Sequence, residues 1–129
     1  MTNKKLKIGL IGFGVVGEGI YQVLKNTPSL DAEIVKIGIK NSSKERNAPS
    51  ELFTNDVQSI INNPNINVIV ELIDDDIAAY QIVKQSLLNK KAVVSANKKM
   101  IAAHQKELIE LQKENNVFLL YEAAVGGSL

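Results

Sequence analysis

The sequence predicts an α/β protein with a doubly wound parallel sheet, and three observations carry that prediction. Strand-like apolar runs alternate with helical patterns along the whole chain, with no Pro/Gly/Ser-rich linker, low-complexity tract or repeat; this is the rhythm of βαβ units. The first run, Leu6-Lys7-Ile8-Gly9-Leu10-Ile11, leads directly into Gly12-Phe13-Gly14-Val15-Val16-Gly17. At 129 residues and 45% hydrophobic content, the chain can bury one sizeable core but hardly two. Residues 1–129 are therefore expected to form one Rossmann domain.

The elements follow in order. After the first strand and the glycine turn, Val16, Ile20, Val23 and Leu24 fall at helical spacing and predict a helix with one face on the sheet. A second strand is expected within Ala32 to Lys40, where Ile34, Val35, Ile37 and Ile39 supply β-branched residues, then a polar loop from Asn41 to Ser50. A short third strand covers Leu52 to Thr54. Asp56 is placed to cap a brief helix carrying Val57, Ile60 and Ile61, which Asn62-Asn63-Pro64-Asn65 ends. The unbroken run Val68 to Ile73 reads as a buried central strand. A helix from Ile77 to Leu88, a strand from Ala92 to Ser95, a long helix from Lys99 to Lys113 and a strand from Val117 to Tyr121 complete the series. Six strands joined by crossovers predict the order 3-2-1-4-5-6, with a ligand crevice at the carboxyl ends of the strands.

The glycine turn points to a dinucleotide. Gly12 permits the tight turn, Gly14 lets the backbone approach a pyrophosphate, and Gly17 lets the helix pack closely on the strand. The helix that follows aims its unpaired N–H groups at that anion. A glycine-rich turn alone is a weak signal, but here it follows a strand and opens a helix, as such a site requires.

Composition removes other classes. A net charge of +1, spread along the chain, leaves no electrostatic footprint for nucleic acid, and the aromatics are too sparse for a base-stacking surface. The absence of cysteine excludes disulfides and thiolate metal sites and fits a reducing compartment. No signal-peptide core or membrane-length apolar run is present, so a cytoplasmic protein is expected. At the end of the second strand, an acidic residue would bind the adenosine ribose of NAD. Lys40, Asn41, Ser42, Ser43 and Lys44 stand there instead. With no carboxylate there to repel a 2′-phosphate, NADP is expected over NAD, the plain alternative being that Lys40 and Lys44 are solvated loop lysines.

Four segments, Gly12 to Gly19, Val70-Glu71-Leu72-Ile73, Val94-Ser95-Ala96-Asn97-Lys98-Lys99 and Glu122-Ala123-Ala124-Val125-Gly126-Gly127, occur in order and at fitting intervals. With them the chain resembles the N-terminal part of homoserine dehydrogenase, over essentially all its length. The resemblance implies NAD(P)-dependent interconversion of L-homoserine and L-aspartate 4-semialdehyde, on the route to threonine and methionine. It places Lys98 at the mouth of the cofactor crevice as the catalytic candidate: hydride reduction of an aldehyde leaves an alkoxide that needs a proton or a positive charge. It puts Ser95, Ala96 and Asn97 on the nicotinamide and ribose side, with Phe13, Val15 and Val16 giving backbone donors to the pyrophosphate and Ile73 among the cofactor-binding residues. It also makes the carbonyls of Glu122, Val125, Gly127 and Leu129 candidate ligands for Na+ or K+, hard cations that favour such oxygens; a flexible exit through Gly126-Gly127 is the plain alternative.

Two departures from the family pattern stand out. Asp74-Asp75-Asp76 replaces small residues beside the cofactor; capping of the next helix is the expected role, while a carboxylate pointing into the crevice would repel an anionic cofactor. The substrate and dimerisation region that such enzymes carry after this point is not in the 129 residues, so the chain is expected to bind cofactor without turning over substrate, and homodimerisation is expected of the full-length protein. His104, in register with Ile101, Leu108 and Leu111, is assigned no chemistry. Glu107, Glu110, Lys106 and Lys113 read as a solvated helix face, and Tyr21 and Tyr80 as packing residues. The alternative function is a stand-alone nucleotide-binding or sensing module, which the fold alone does not exclude.

Overall fold

In the computed structural model, which describes residues 5–40 and 46–121, six parallel strands form one sheet in the order β3-β2-β1-β4-β5-β6. The elements are β1 (Leu6–Ile11), α1 (Val15–Lys25), β2 (Ala32–Gly38), a 3-10 turn (Ser50–Leu52), β3 (Phe53–Thr54), α2 (Val57–Ile61), β4 (Val68–Glu71), α3 (Asp76–Leu88), β5 (Ala92–Ser95), α4 (Lys98–Asn115) and β6 (Leu119–Tyr121). This is the predicted topology. β1 pairs with both β2 and β4, so the order reverses at β1 and a crevice opens between the carboxyl ends of β1 and β4.

Each sheet face has its own core. On one, Ile11, Ile60, Ile69, Val83, Val93, Met100 and Leu108 join residues of α2, α3 and α4; on the other, Ile8, Leu10, Ile37, Val68 and Val70 pack with Phe13, Ile20, Tyr21 and Leu24. Among the described residues, α1 is thus the one helix on the second face, and on β6 Leu120 remains 55% exposed. At the opposite edge of the sheet from the crevice, the buried ammonium of Lys91 donates to the carbonyls of Asn63 and Ile66, each at 2.7 Å. Burial holds its pKa below the ordinary lysine value.

Three expectations are corrected. Val16 and Val23 do not face the sheet: they are 62% and 57% exposed, and Val15 is 91% exposed. The contact stripe of α1 is Gly17, Ile20, Tyr21 and Leu24, because the helix sits so close to the glycine turn that only a residue without a side chain fits at 17. β4 ends at Glu71, two residues early, because the Glu71 carboxylate takes the Ile73 N–H at 2.8 Å and turns the chain out of the ladder. β6 begins at Leu119, since Asn116 adopts a left-handed conformation at the end of α4 and Val117 N–H bonds back to Gln112. Asp56 caps α2 as expected, accepting from Ser59 N–H at 3.2 Å.

Tyr80 packs against the core but also donates to Glu107 at 2.6 Å, and it stacks on His104 with centroids 3.8 Å apart. Glu107 also pairs with Lys84 at 3.2 Å. It therefore ties α4 to α3 instead of only solvating its own helix, and the Tyr80 and Lys84 contacts hold its pKa below the ordinary range.

Candidate functional site

The glycine turn is built as its spacing demands. Gly12 has φ +105°, a conformation that side chains rarely adopt. A Cβ at Gly17 would stand 2.7 Å from the carbonyl oxygen of Gly12, whereas a Cβ at Gly14 would meet nothing within 4 Å. Backbone conformation at 12 and packing at 17 therefore dictate glycine, whereas at 14 the space beside the backbone is open.

The four α-helices differ at their N-termini. Asp56, Asp75 and Asn97 cap α2, α3 and α4 with side-chain oxygens, while Gly14 gives α1 no side-chain cap. The first-turn N–H groups of α1 are the donors that a pyrophosphate would satisfy.

Beside this turn lies a cavity of about 920 Å³, bounded by Gly12, Phe13 and Gly14, by Gly38, Ile39 and Lys40 at the end of β2, and by Leu72, Ile73, Asp74 and Asp75 after β4. That volume is at the upper end for a small-molecule or cofactor site. The cavity straddles the point where the strand order reverses, and it brings together the predicted Gly12, Phe13, Gly14, Lys40 and Ile73.

Arg46, the only arginine of the chain, also lines this cavity and was not foreseen. Its guanidinium lies 5.6 Å from the centre of the Phe53 ring, and Phe53 meets Phe13 edge-to-face with centroids 5.2 Å apart. The adjoining Asn47 side chain donates to Glu18 on α1 at 2.5 Å. Asn47 thus lies against α1, and Arg46 lines the same cavity as Lys40. The chain's lone arginine six residues past Lys40 was the available signal.

Ser95, Ala96, Asn97 and Lys98 lie at the end of β5, on the same edge of the sheet, because all strands run parallel. Ser95 and Asn97 are buried and their side chains are already engaged. The Ser95 hydroxyl donates to Glu71 Oε1 at 2.6 Å, and Asn97 donates to the Ile73 carbonyl at 3.3 Å and accepts from Met100 N–H at 2.9 Å. Ala96 and Lys98 are exposed. Lys98 and Lys99 occupy the first turn of α4, which has no acidic residue, against the preference of a helix dipole for anions there.

Glu71, in the Val70–Ile73 segment, is a site residue that the sequence pattern did not single out. It is fully buried, and burial pushes its pKa above the ordinary carboxylate value; the Ser95 hydroxyl and Ile73 N–H oppose that rise, and the nearby Asp74 adds to it. Of the three aspartates, Asp75 performs the expected capping, its Oδ1 accepting from Ile77 and Ala78 N–H at 3.0 and 3.1 Å. Asp76 lies 3.9 Å from Lys99. Asp74 and Asp75 both line the cavity, so the crevice carries negative charge on its β4 side. Among the described residues no cluster of acidic, His or Cys groups could hold a metal ion. The expected cation ligands Glu122, Val125, Gly127 and Leu129, and Lys44 of the basic loop, lie outside the described residues. No described helix is long and apolar enough to cross a membrane.

Comparison with known proteins agrees with this geometry. A family model described as the NAD-binding domain of homoserine dehydrogenase matches residues 12–122. The homoserine dehydrogenase of Synechocystis is 37% identical over 96% of this chain and 30% of its own length, and that of Helicobacter pylori 36% identical over 98% and 31%. Crystal structures of homoserine dehydrogenases superpose well. The Staphylococcus aureus enzyme at pH 8.5 has a TM-score of 0.81 at 34% identity, covering 92% of this chain and 32% of that one. The Thiobacillus denitrificans enzyme has a TM-score of 0.84 at 30% identity, covering 96% and 31%. The chain spans about 30% of the length of the curated relatives it matches. It belongs to the homoserine dehydrogenase family, as the NAD-binding domain of that family's oxidoreductases.

Proposed function

We propose that this domain binds NADP in preference to NAD and forms the cofactor half of an enzyme that interconverts L-homoserine and L-aspartate 4-semialdehyde, in the cytoplasm, on the route to threonine and methionine. The observation that carries the cofactor preference is the pairing of Lys40 with Arg46 at the β2 end of the cavity, with no carboxylate on that strand end. Two cations there suit a 2′-phosphate, and an arginine binds phosphate through its planar fork of donors.

In this reading Gly12 makes the tight turn, Gly14 lets the pyrophosphate approach, Gly17 seats the helix on the strand, and Phe13, Val15 and Val16 give the backbone donors. Ile73, Ser95, Ala96 and Asn97 flank the nicotinamide and its ribose. The bound nicotinamide supplies or takes up the hydride. Lys98 supplies the positive charge or proton for the oxygen that becomes an alkoxide when the aldehyde is reduced. Substrate binding and homodimerisation are assigned to the part of the family's chain that these 129 residues do not match, so the domain alone binds cofactor without oxidising homoserine. A Na+ or K+ bound by carbonyls of Glu122, Val125, Gly127 and Leu129 completes the proposal, and no nucleic-acid or membrane partner enters it.

Calorimetric titration with NADPH and NADH tests the preference. Saturable binding that favours NADPH, and that loses the preference in Arg46→Ala, is the expected result. Equal affinities, or a preference for NADH, would contradict it.

A further inference from the structure

The carboxyl ends of β4 and β5 are joined by a closed ring of side-chain hydrogen bonds. Glu71 and Ser95 are direct partners across the two strands. Glu71 Oε1 accepts from the Ser95 hydroxyl at 2.6 Å and Oε2 from Ile73 N–H at 2.8 Å. Ser95 Oγ accepts from Asn97 N–H at 3.2 Å, and the Asn97 amide returns to the Ile73 carbonyl at 3.3 Å. The backbone adds one bond, from Ala96 N–H to the Glu71 carbonyl at 3.0 Å. The ring thus spans both strand-to-helix turns: residues 72–75, which wall the cavity, and residues 96–97, which lead into Lys98.

A carboxylate at this place is not what packing requires. The three preceding residues of β4, Val68, Ile69 and Val70, are apolar and buried, and an apolar residue at 71 would avoid the cost of desolvating a carboxylate. What the carboxylate adds is direction. It can accept from two donors at once, the Ile73 N–H in the first turn and the Ser95 hydroxyl at the end of β5, and a fully satisfied buried network rigidifies what it joins; among the described residues no buried side-chain polar atom is left without a partner.

The ring also lies on a particular half of the crevice. The adenosine end of a dinucleotide belongs to the β1–β2 side, where Lys40 and Arg46 stand, so the opposite side, at β4 and β5, takes the nicotinamide end. We infer that Glu71 is a positioning residue for the nicotinamide half of the site: without touching the cofactor, it fixes the Ile73 and Ser95–Asn97 turns in the arrangement that receives the nicotinamide and its ribose. This rests on the cofactor reading given above.

The test compares two probes on the same protein: NADPH, which fills both halves, and adenosine 2′,5′-bisphosphate, which fills only the adenosine half. Glu71→Gln keeps the volume but offers one acceptor where two donors converge, so one arm of the ring is lost. The expected result is a roughly tenfold loss of NADPH affinity with adenosine 2′,5′-bisphosphate affinity changed less than about twofold, a split that a general loss of structure does not produce. Equal losses for both probes, or unchanged affinity for both in a folded variant, would overturn the inference. If Glu71→Gln does not fold, Glu71→Asp, which keeps the charge but shortens the reach to both donors, is expected to give the same split. Wild-type protein that binds neither probe would overturn the cofactor reading itself, an outcome distinct from wild-type binding with no split in the variants.

Discussion

The carbonyl oxygen of Gly12 lies 2.7 Å from where a Cβ of Gly17 would stand, while the corresponding position at Gly14 is open to 4 Å. Two alanine substitutions in one turn should therefore act differently. Gly17→Ala forces backbone against Cβ and is expected to destabilise the fold by about 1–3 kcal/mol. Gly14→Ala is expected to cost less than about 1 kcal/mol, as for an unfavourable N-cap residue, yet to lower NADPH affinity by a factor on the order of ten or more. Thermal unfolding and calorimetry on both variants check this. Equal loss of stability would contradict the assignment of Gly14 to the ligand.

Gly9 offers a stability control far from the ligand. A Cβ there would collide with Cγ2 of the fully buried Ile60 and stand 3.1 and 3.2 Å from Cδ1 of Ile69 and Ile66. Gly9→Ala should cost about 1–3 kcal/mol in denaturant unfolding, and the double variant with Ile60→Leu, which carries no methyl branch on Cβ, should recover part of that loss. An unchanged midpoint for Gly9→Ala would show that α2 is free to move off the sheet.

The fold was legible in the sequence because its signals are local. β-branched runs, the glycine turn and the Asp56 cap each specify their element without reference to the rest of the chain. The errors arise where tertiary contacts override the pattern. Val16 and Val23 have the right spacing for a buried face, but close approach at Gly17 rotates α1 onto Ile20, Tyr21 and Leu24. The early end of β4 depends on a side chain, Glu71, reaching the Ile73 N–H. Lys40 was legible because it stands at a strand end. Arg46 was not, since its place in the cavity goes with a tertiary contact, that of Asn47 with Glu18 on α1, which no local pattern announces. Lys91 was passed over because nothing in its own segment announces the Asn63 and Ile66 carbonyls it meets.

Asp74 and Asp75 line the same cavity but play different parts. Asp75 caps α3, so Asp75→Ala should cost about 1 kcal/mol of stability. Asp74 has no part in that cap and sets a negative charge where an anionic cofactor would bind. Asp74→Asn should tighten NADPH binding a few-fold at low salt, with the gain shrinking as salt screens the charge. Weaker binding in Asp74→Asn would show that this carboxylate holds the ligand instead of repelling it.

The buried Glu71 has a pH signature. Burial raises its pKa above the ordinary 4.5, chiefly by desolvation, with Asp74 adding to the rise and the Ser95 and Ile73 contacts opposing it. The folded state therefore holds this proton more tightly than the unfolded chain. Its favourable contribution is complete below the unfolded value and is lost as pH rises through the raised folded value. Glu71→Gln does not titrate, so the stability of wild type relative to Glu71→Gln should fall as pH increases from about 4 toward neutrality. Unfolding midpoints of the two proteins across that range measure the difference. A difference that stays constant, or grows in favour of wild type, would contradict the raised pKa.

The central claim is that the glycine turn and the cavity beside it hold a dinucleotide across the β1–β4 crevice. Backbone amide chemical shifts followed by NMR during an NADPH titration test it most directly. The account predicts saturable changes concentrated at residues 12–17, at Ile39, Lys40 and Arg46, and at residues 72–74, with smaller changes at residues 95–98. Saturable changes confined to other surfaces, or no change at millimolar NADPH, would contradict it.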